Sequence, residues 1–333
     1  MTKSPKLSVI IPAYNTPVEL FDACLKSVAE QKYDEPYEII VIDDGSTQPN
    51  PYEAISKQYG ATYHYKDNGG VSTSRNKGVE LAKGEFVLFV DADDYLALDY
   101  LKKTMTIIEK RGVDILICGH MVIENGNKFP WNPTELKSGS RDDLVVDLIL
   151  KNHYYTCAGS IFRRSIAAAH PSRTDMTMGE DTLFVFECCA DARVAVATPS
   201  SYYYIKNSYS ATKARQKKAA AAKTLASKNL ESNIKLYKAI LDAYPQHQEQ
   251  IDTALTSKAY DALSLYLDSE DATKDGYIEY CREIATKINF SALYVPQTDY
   301  SQSKKKGMKL LASRRYGSSY RLNRLKNFVK RHR

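Results

Sequence analysis

The sequence predicts an α/β fold with a mostly parallel central sheet flanked by helices, followed by a helical appendage and a basic tail. Over the first hundred residues, short apolar runs alternate with helical patterns, which is typical of parallel strands joined by helices. One such run, FVLFV (86–90), is apolar throughout and therefore indicates a strand covered on both faces. From Lys213 onward the composition shifts to Ala, Lys and Leu, with apolar residues at helical spacing.

The individual elements follow this alternation along the chain. Strands are expected at LSVII (7–11), YEIIVI (37–42), ATYHYK (61–66), EFVLFV (85–90) and VDILICG (113–119), and SYYYIKN (201–207) fits a last strand or a loop. Helices are expected after Thr16-Pro17, over 51–59, from about 71 to an end at Gly84, over about 96–110 and over 178–192, with an irregular stretch from 120 to about 160. Pro12 is expected to end the first strand, because proline donates no ladder hydrogen bond. Thr16 is expected to cap its helix, with Pro17 in the first helical position.

The chain divides into three predicted parts: an α/β domain over 1–212, a helical subdomain over 213–292 and a basic tail over 293–333. Three apolar stripes define the subdomain: Leu230, Ile234, Tyr237, Leu241 and Tyr244; Ile251, Leu255, Ala259, Ala262 and Tyr266; Tyr277, Cys281, Ile284 and Ile288. Pro245 is expected to close the first of these helices. The stripes can be buried on the same chain or on a second subunit, so the sequence leaves a homo-oligomer open.

The cysteines and the apolar runs place limits on the class of protein. The six cysteines form no C-x-x-C pair and most lie in apolar segments, so we expect buried, reduced thiols in a cytoplasmic protein rather than disulfides or a zinc site. No apolar run approaches the roughly 18–20 residues needed to span a bilayer. The first residues, MTKSPKLSVIIPAYN, lack the features of a secretory signal.

Acidic pairs follow two of the predicted strands, at the point where each strand ends. Asp43 and Asp44 follow the second strand, and Asp91 and Asp93 follow the fourth. Ligands of open α/β sheets bind beyond the carboxyl ends of the strands, so these side chains are expected to share a crevice. An Asp-x-Asp pair can hold a divalent cation while the backbone at Ala92 lets a diphosphate approach. A solvated acidic turn before a helix is the simpler alternative.

Four segments occur in an order and with a spacing that resemble one enzyme family. They are LSVIIPAYN, YEIIVIDDGST, NGGVSTSRNKGVELAKGEFVLFVDADD and GEDTLF. Together they resemble the family 2 glycosyltransferases, which have a GT-A fold built on a Rossmann-like sheet and use nucleotide-diphospho-sugars. The resemblance covers roughly residues 6 to 212 and leaves the C-terminal third of the chain uncovered.

This resemblance implies a nucleotide pocket at named positions. Pro12, Ala13 and Tyr14 would line the pocket of the base, with Tyr14 against the ring; an ordinary turn tyrosine is the alternative. Asp44 would accept a hydrogen bond from the base, which is usually uracil in this family. Arg75 would help to hold the nucleotide; a helix-surface arginine is the alternative.

The same resemblance implies a metal site after the fourth strand. Asp91 would touch the ribose or the metal, and Asp93 would bind the metal, either Mn²⁺ or Mg²⁺. Asp94 is expected to cap the following helix instead. Asp43 is expected to hold its own turn, because neighbouring strand residues point to opposite sides of a sheet.

Asp181, in the segment GED, matches the catalytic base of the family. In a direct displacement this carboxylate takes the proton of the acceptor hydroxyl as the hydroxyl oxygen attacks the anomeric carbon. The product would then have inverted configuration at that carbon. The alternative is a first-turn carboxylate that suits the positive end of a helix dipole.

The segment YYYIKNSYSAT departs from the family pattern. Family members often carry an arginine after the aromatic run, where it engages the donor diphosphate. Here Ile205 and Lys206 occupy this region, and Lys206 can replace the arginine as a point charge but not as a bidentate fork. The segment holds no histidine, so diphosphate oxygens and water are expected to complete the metal shell.

We therefore predict a metal-dependent, inverting transferase that moves a sugar, most simply from a UDP-sugar, to a hydroxyl of a glycan or lipid-linked saccharide in surface polysaccharide or glycoconjugate synthesis. A sugar-phosphate nucleotidyltransferase is the enzymatic rival, but it should carry a glycine-rich loop with Arg and Lys after its first strand, and PAYNTPVEL has none. A non-catalytic nucleotide-sugar or polysaccharide-binding protein is a second alternative, against which the intact Asp93 and Asp181 argue. The acceptor pocket is expected within 120–180, a region that contains Trp131, His153, Tyr154 and Tyr155.

The net charge of +6 is unevenly distributed along the chain. Residues 304–333 hold twelve Lys or Arg and no acidic residue, so the rest of the chain has 34 basic against 40 acidic residues. The tail also places Leu322, Leu325, Phe328 and Val329 on one helical face, which is typical of a basic amphipathic helix at an anionic membrane surface. We expect peripheral attachment at the inner face of the cell membrane; a disordered solubilising tail is the alternative. Nucleic-acid binding is disfavoured, because the body is acidic and the tail has few aromatic residues for stacking.

Overall fold

The computed structural model describes residues 4–131, 155–197, 201–206, 222–268, 272–291 and 301–331. The described residues form two compact units. Unit 1 contains 4–131, 155–174, 180–197 and 201–206, and unit 2 contains 175–179 and the residues from 222 onward. The predicted boundary between 212 and 213 falls in a stretch outside the described residues and stays a prediction.

Unit 1 contains two sheets. Its strands are β1 (Leu7–Ala13), β2 (Tyr37–Asp43), β3 (Thr62–Tyr65), β4 (Phe86–Phe89), β5 (Tyr95–Leu96), β6 (Ile115–Cys118), β7 (His120–Glu124), β8 (Asn127–Trp131), β9 (Ile161–Arg163), β10 (Val194–Ala197) and β11 (Tyr202–Ile205). The main sheet has the order β10-β6-β9-β4-β1-β2-β3, and β9 is antiparallel to both neighbours while the other pairs are parallel. The second sheet has the order β5-β11-β7-β8. The predicted mostly parallel sheet is therefore confirmed.

Helices cover both faces of the main sheet. Those of unit 1 are α1 (Val18–Ala29), α2 (Tyr52–Gln58), α3 (Val71–Leu81), α4 (Tyr100–Arg111), α5 (Arg164–Ala169) and α6 (Glu180–Cys188). One core cluster joins alternate β1 residues to α1 and α4: Leu7, Val9 and Ile11 with Phe21, Leu25, Leu101 and Met105. The opposite face of β1 meets α3, where a Cβ on Gly78 would lie 2.2 Å from Cγ2 of Ile10. This close approach requires glycine and fixes α3 against the sheet.

The first strand continues through Pro12, so the prediction that this proline ends the strand is wrong. Pro12 and Ala13 lie opposite Ile42 and Asp43 of β2. Ile10 accepts a hydrogen bond from the β4 side, at Val90, and Pro12, two residues later, faces the same side. Because β4 ends at Phe89, no ladder partner is present for the amide that proline lacks.

Two predicted helix boundaries are also wrong. α1 begins at Val18 with Pro17 in the cap position and no side-chain cap, so Thr16 does not cap it. α3 ends at Leu81 with Ala82 as its cap, so Gly84 does not end it. A Cβ on Gly84 would lie 2.6 Å from the backbone nitrogen of Ser8, and close approach of two backbones is the physical reason for this glycine.

The segments between 95 and 205 hold more strands than the sequence predicted. The expected helix over 96–110 is preceded by β5 and begins only at Tyr100. The stretch expected to be irregular contains the hairpin of β7 and β8, and β9 and β10 were not predicted. The segment 202–205 is a strand, β11, which resolves the choice between strand and loop.

Unit 2 is helical, as the three apolar stripes predict. Its helices are α7 (Ala222–Ala243), α8 (Gln248–Tyr266), α9 (Lys274–Ala285), α10 (Gln302–Ala312) and α11 (Tyr316–Arg331). Pro245 follows the end of α7 and begins a short 3-10 turn, which confirms its predicted role. No helix among the described residues is both long and apolar enough to cross a membrane.

The described part of the basic tail, 301–331, packs into unit 2. Met308 and Leu311 of α10 are fully buried, and a Cβ on Gly307 would lie 2.1 Å from the Tyr260 ring. Asn323 of α11 donates to the Tyr277 hydroxyl at 3.0 Å. Of the apolar face predicted for the tail, Leu322 is half-buried. The side chains of Leu325, Phe328 and Val329 lie outside the described residues, so the face stays a prediction.

All six cysteines are buried free thiols, as expected from the sequence. They are Cys24, Cys118, Cys157, Cys188, Cys189 and Cys281. Burial raises the pKa of five of these thiols, that of Cys118 to about 12; the others are Cys24, Cys157, Cys188 and Cys281. These five thiols therefore stay protonated and unreactive at neutral pH.

Candidate active site

The carboxyl edge of the main sheet gathers the acidic side chains that the sequence singled out. Asp43 is the last residue of β2 and pairs in register with Ala13 at the end of β1. Val90 and Asp91 follow β4, which is parallel to β1. Parallel strands bring these ends to one edge, as predicted.

Asp43 holds the turn after β2, which confirms its predicted role. Its side chain is fully buried and accepts hydrogen bonds from the Ser46 amide at 2.9 Å and the Tyr63 hydroxyl at 2.7 Å. A hydrogen bond also connects this turn to the loop after β1, because the Asn15 amide donates to Ser46 Oγ at 2.9 Å. The two loops therefore stabilise each other.

Asp44 is also buried and has more partners than the sequence suggested. Its carboxylate accepts hydrogen bonds from the amides of Gly69 at 3.0 Å and Gly70 at 2.8 Å, and pairs with Lys66 Nζ. Asn68 Nδ2 adds a bond at 3.3 Å. These donors fill the acceptor positions that a carboxylate offers. A nucleobase can donate a hydrogen bond to Asp44 only if one of these donors, such as Lys66, breaks its bond to the carboxylate.

The loop after β1 presents one aromatic ring to solvent. Pro12 and Ala13 are buried, whereas Tyr14 is 54% exposed. Asn15, the next residue, has a positive φ of 49°, and its side chain accepts from the Thr47 amide at 2.8 Å. This fixed turn holds Tyr14 outward at the carboxyl edge, where a planar ligand can stack on it.

Arg75 brings the two predicted catalytic regions together. It lies in α3 and is only 3% exposed, so it is not the helix-surface arginine of the alternative reading. Its Nη1 pairs with Asp181 Oδ1, and its Nη2 lies 3.3 Å from Asp91 Oδ1. Residues that are distant in the sequence thus meet at one guanidinium.

Asp181 is held by a second group on its other oxygen. Thr156 Oγ1 donates to Asp181 Oδ2 at 3.2 Å. Thr182, the next residue of α6, donates to the Tyr155 carbonyl oxygen at 2.9 Å and fixes the start of the helix. The Asp181 side chain keeps 22% of its surface accessible, so a hydroxyl can reach it. Its place in the first turn of α6 is confirmed.

The charge on Asp91 is unfavourable in this structure. A third of its side chain is accessible, yet burial among neighbouring atoms is the largest effect and raises its pKa to about 6. Arg75 opposes the rise, whereas Asp93 and Asp181 add to it. A carboxylate with a raised pKa at the edge where ligands bind is typical of a functional site.

Asp94 does not cap a helix, so this prediction is wrong. The helix α4 begins six residues later with Asp99 in the cap position. Asp94 is 1% exposed and accepts hydrogen bonds from the Tyr202 hydroxyl at 2.6 Å and the Ile205 amide at 2.8 Å. Burial, with Asp91 and Asp93 nearby, raises the pKa of Asp94 well above its ordinary value. Asp94 joins β11 to the acidic turn.

Tyr202 shares this junction, and His120 lies beside it. The Asp91 amide donates to the Tyr202 hydroxyl at 3.2 Å. The His120 ring contacts Tyr202 and Tyr204 edge-on, at centroid distances of 6.3 and 5.8 Å, and burial lowers its pKa to about 4. A neutral imidazole thus lies beside the aromatic rings behind the acidic turn, and no sequence motif predicts this position.

Lys206 lies at the end of β11, where its Nζ pairs with Glu124 Oε1 of β7 at 2.9 Å. Its amide donates to the Ile123 carbonyl oxygen at 2.9 Å. The half-exposed side chain must leave Glu124 to reach a diphosphate. Its predicted contact with the donor stays a prediction.

No group of three or more His, Cys, Asp or Glu side chains in the described part of the chain forms a ready-made metal site. Asp91 and Asp93 therefore offer at most part of a coordination shell. Carboxylate oxygens suit Mg²⁺ or Mn²⁺, and these ions commonly keep water and substrate phosphate as further ligands. The residues fit a cation that a donor diphosphate helps to hold.

Several partners in the site were missed by sequence reasoning. Thr156, Lys66 and Asn68 carry no motif that could have identified them, whereas Tyr202 lies in the aromatic run already noted. Of the residues expected in the acceptor pocket, Tyr155 is buried and Trp131 ends β8. His153 and Tyr154 lie outside the described residues.

The comparisons with known proteins agree with this geometry. Residues 8–170 match the sequence model of Glycosyl transferase family 2. The chain is 27% identical over 217 residues to "Putative glycosyltransferase EpsH" of Bacillus subtilis, which covers 61% of this chain and 62% of the relative. It is 30% identical over 210 residues to "Poly(ribitol-phosphate) beta-N-acetylglucosaminyltransferase TarS" of Staphylococcus aureus, which covers 60% of this chain and 35% of the relative. The region over residues 8–170 belongs to the family 2 glycosyltransferases, and the resemblance seen in its motifs is confirmed.

Solved structures agree on the fold. The S. aureus TarS fragment 1–349 in complex with UDP-GlcNAc matches with a TM-score of 0.68 at 21% identity, covering 97% of this chain and 92% of that one. The mannosyltransferase PcManGT of Pyrobaculum calidifontis, in complex with GDP-Man and Mn²⁺, matches with a TM-score of 0.52 at 17% identity, covering 95% and 87%. At these identities the likeness shows the fold, which is the predicted GT-A fold. Of the two curated relatives, the matched regions span 35% and 62% of the full length.

Proposed function

We propose that this chain is an inverting glycosyltransferase that moves a sugar from a nucleotide-diphospho-sugar to a hydroxyl of a surface polymer. The observation that carries the proposal is the meeting of Asp91, Arg75 and Asp181 at the carboxyl edge of the sheet. Asp181, a carboxylate suited to accept a proton, and Asp91, a carboxylate suited to hold a cation, thus contact the same guanidinium. A binding protein without catalysis has no need of this juxtaposition.

Asp181 acts as the base in this proposal. Its carboxylate accepts the proton of the acceptor hydroxyl while the hydroxyl oxygen forms the new bond to the anomeric carbon and the nucleoside diphosphate leaves. The ion pair with Arg75 and the hydrogen bond from Thr156 fix the direction of its oxygens. Because the attack and the departure occur on opposite sides, the anomeric configuration is inverted.

A divalent cation, Mn²⁺ or Mg²⁺, is proposed to bind at Asp91 and Asp93. Asp91, Asp93 and Asp181 bring three negative charges, against one positive charge on Arg75. The excess of two matches a divalent cation; burial is the main cause of the raised pKa of Asp91, and the charges of Asp93 and Asp181 add to it. When bound, the cation would neutralise charge on the departing diphosphate.

The donor is proposed to be a UDP-sugar whose base stacks on Tyr14. The exposed ring of Tyr14, the buried Pro12 and Ala13 beneath it and the loop held by Asp44 support this placement. The structure matched above holds UDP-GlcNAc, and the relative TarS is named for transfer to poly(ribitol-phosphate). A polyol-phosphate or polysaccharide chain is therefore the acceptor class that we propose.

A thermal-shift screen of nucleotide-sugars with and without Mn²⁺ tests the proposal. We expect one or more UDP-sugars to raise the melting temperature only when Mn²⁺ is present, since a cation held by Asp91 and Asp93 would offset the negative charge of the donor diphosphate. Asp93→Ala should abolish the Mn²⁺-dependent part. Asp99→Ala is the matched control, because Asp99 pairs on the surface with Lys103 at 2.7 Å and should keep the wild-type response. Transfer of no sugar by the wild-type protein from any donor that binds would overturn the catalytic proposal.

We also propose that helices α10 and α11 bind an anionic membrane surface from the cytoplasmic side. Lys306 and Lys309 of α10, Arg321 of α11 and Arg314 and Arg315 in the connection between them are exposed, while Met308 and Leu311 are buried within unit 2. Attachment would thus depend on charge more than on insertion, at on the order of 1 kcal/mol for each basic residue near the surface.

The membrane proposal is tested by co-sedimentation with vesicles that contain phosphatidylglycerol. Replacing Lys306, Lys309, Arg314, Arg315 and Arg321 with Gln should strongly reduce sedimentation without unfolding unit 2, whereas deletion of the tail would also remove buried residues. Neutral phosphatidylcholine vesicles should not bind the wild-type protein. Equal sedimentation of the substituted and wild-type proteins would exclude the proposal.

A further inference from the structure

The contacts of Arg75 differ from those expected of a residue that holds a nucleotide. Its side chain is 4% accessible. Nη1 is occupied by Asp181 and Nη2 by Asp91, and Nε is buried with no hydrogen-bond partner among the described residues. The two bonds use two of the five N–H donors of the guanidinium, but with 4% of the side chain accessible the remaining donors are poorly open to a nucleotide.

The two carboxylates also need Arg75 more than a ligand does. Asp181 and Asp91 would face each other without compensation if Arg75 were absent, and removing one partner from a buried ion pair is strongly unfavourable. Their charges raise the pKa of Arg75 well above its ordinary value, even though burial acts in the opposite direction. The planar fork of arginine can bond to two carboxylates at once, which lysine cannot do.

We propose that Arg75 is a positioning residue that sets the orientation of the base Asp181 and joins it to Asp91, rather than a nucleotide ligand. Thr156 completes the arrangement from the other side of the Asp181 carboxylate. The inference rests on the proposed function, since it assigns Asp181 as the base. It replaces the nucleotide-holding role that the family resemblance implied for Arg75.

The first test separates turnover from donor binding. Arg75→Lys keeps the positive charge but cannot bond to both carboxylates, so kcat should fall about 100-fold through misalignment of the base. The donor dissociation constant should stay within about threefold of the wild-type value, because in this proposal Arg75 does not contact the donor. A nucleotide ligand would give the reverse: weaker donor binding with a smaller change in kcat.

Arg163→Lys is a matched control. Arg163 also bridges two carboxylates, Asp114 at 2.8 Å and Glu85 at 2.8 Å, but it lies at the amino edge of the sheet. Its replacement should lower stability and leave kcat and donor binding unchanged. If Arg75→Lys behaves as Arg163→Lys does, Arg75 is structural only and the proposal fails.

A double-mutant cycle with Asp181→Asn supplies a second test. If Arg75 acts through Asp181, adding Arg75→Lys to Asp181→Asn should lower kcat less than about threefold, because the group that it positions is already lost. A full additional 100-fold loss would overturn the proposal.

Side-chain NMR of ¹⁵N-arginine supplies a readout that needs no activity. In the wild-type protein without donor, the Nη protons of Arg75 should show slow rotation, because both Nη atoms are bonded. In Asp181→Asn this restraint should weaken. Free rotation in the wild-type protein would overturn the positioning role, whereas restrained rotation in a protein that transfers no sugar would contradict only the proposed function.

Discussion

The two edges of the main sheet pair their charges in different ways. At the amino edge two carboxylates share Arg163 and each also contacts a second cation: Asp114 contacts Arg163 at 2.8 Å and Arg193 at 3.1 Å, and Glu85 contacts Arg163 at 2.8 Å and Lys6 at 2.6 Å. At the carboxyl edge Asp91 and Asp181 share Arg75, and a third carboxylate, Asp93, lies near them and adds negative charge.

The pKa values follow this difference. Hydrogen bonds from Arg193 and Arg163 outweigh burial and lower the pKa of Asp114 to about 2, and Lys6 lowers that of Glu85. Burial instead raises the pKa of Asp91 to about 6. The carboxylate anion is thus stabilised at the amino edge, where it contributes to the stability of the fold, and destabilised at the carboxyl edge, as is common at functional sites. This difference supports our proposal that a cation binds at the carboxyl edge.

The largest expected effect is on turnover. Asp181→Asn should lower kcat about 1,000-fold, because the amide cannot accept the proton of the acceptor hydroxyl. Donor affinity should change less than about threefold. Release of nucleoside diphosphate measures kcat, and isothermal titration with the donor measures affinity.

Asp114→Asn is the control for this comparison, since it makes the same chemical change at the opposite edge. It should leave kcat as in the wild-type protein. An Asp181→Asn protein with full transfer activity would show that another group takes the proton, and the contrast between the two edges would lose its functional meaning.

The second prediction concerns stability and has opposite signs at the two edges. At pH 8, with chelator, Asp114→Asn should lower the free energy of unfolding by about 1–2 kcal/mol, because a depressed pKa stabilises the fold above the ordinary pKa of an aspartate. Asp91→Asn should raise it by about 1 kcal/mol, because a raised pKa means that stability falls as pH rises from about 4 to about 6 and stays low above that range.

Urea unfolding of both variants measures these changes. A destabilised Asp91→Asn protein would indicate that the pair with Arg75 outweighs the cost of burying the charge. In that case Arg75 would fully compensate the charge of Asp91 without a cation, and the carboxylates at both edges would stabilise the fold.

The smallest expected effect is on pH dependence. Burial lowers the pKa of His120 from its ordinary value of 6.5 to about 4, so the fold favours the neutral imidazole. This contribution is fully present above pH 6.5 and is lost as pH falls toward 4. When the pH is lowered from 7 to 5, the free energy of unfolding should therefore fall by about 1 kcal/mol less in His120→Phe than in the wild-type protein. This value is reduced from the full effect of the pKa shift because the His120 side chain is partly exposed to solvent.

Urea unfolding at the two pH values tests this prediction. Asp114, with a pKa of about 2, stays ionised throughout this range, so the amino edge does not contribute to the difference. Identical pH dependence in the two proteins would show that His120 is not held neutral behind the acidic turn.

The sequence predicted the fold best where a strand is long and buried. The runs that became β1, β2, β4 and β6 are apolar over four or more residues, and their order gave the parallel sheet. β9 has three residues and runs antiparallel, and β5 has two. Such short strands are defined by their neighbours in space, which local patterns do not show.

The site was predictable in its membership but not in its contacts. Asp91 and Asp181 were identified through motifs, and the structure brings them to Arg75. Asp94 was misassigned, because a carboxylate shortly before a helix has the local pattern of a cap, whereas its partner Tyr202 lies 108 residues away in the sequence. Pairings across such distances depend on the folded chain, and one sequence carries no signal for them.

The helix α3 has a consequence for attempts to change the sugar nucleotide that this chain accepts. The Gly70 amide, just before its first turn, donates to Asp44, and five residues later the same helix carries Arg75, which pairs with Asp181. With Asp181 as the proposed base, we expect that replacing Lys66 or Asn68, which also bond to Asp44, to favour another nucleobase would also shift the proton acceptor. Donor specificity and turnover are therefore coupled through α3, and a variant designed to change the donor should also be tested for its kcat.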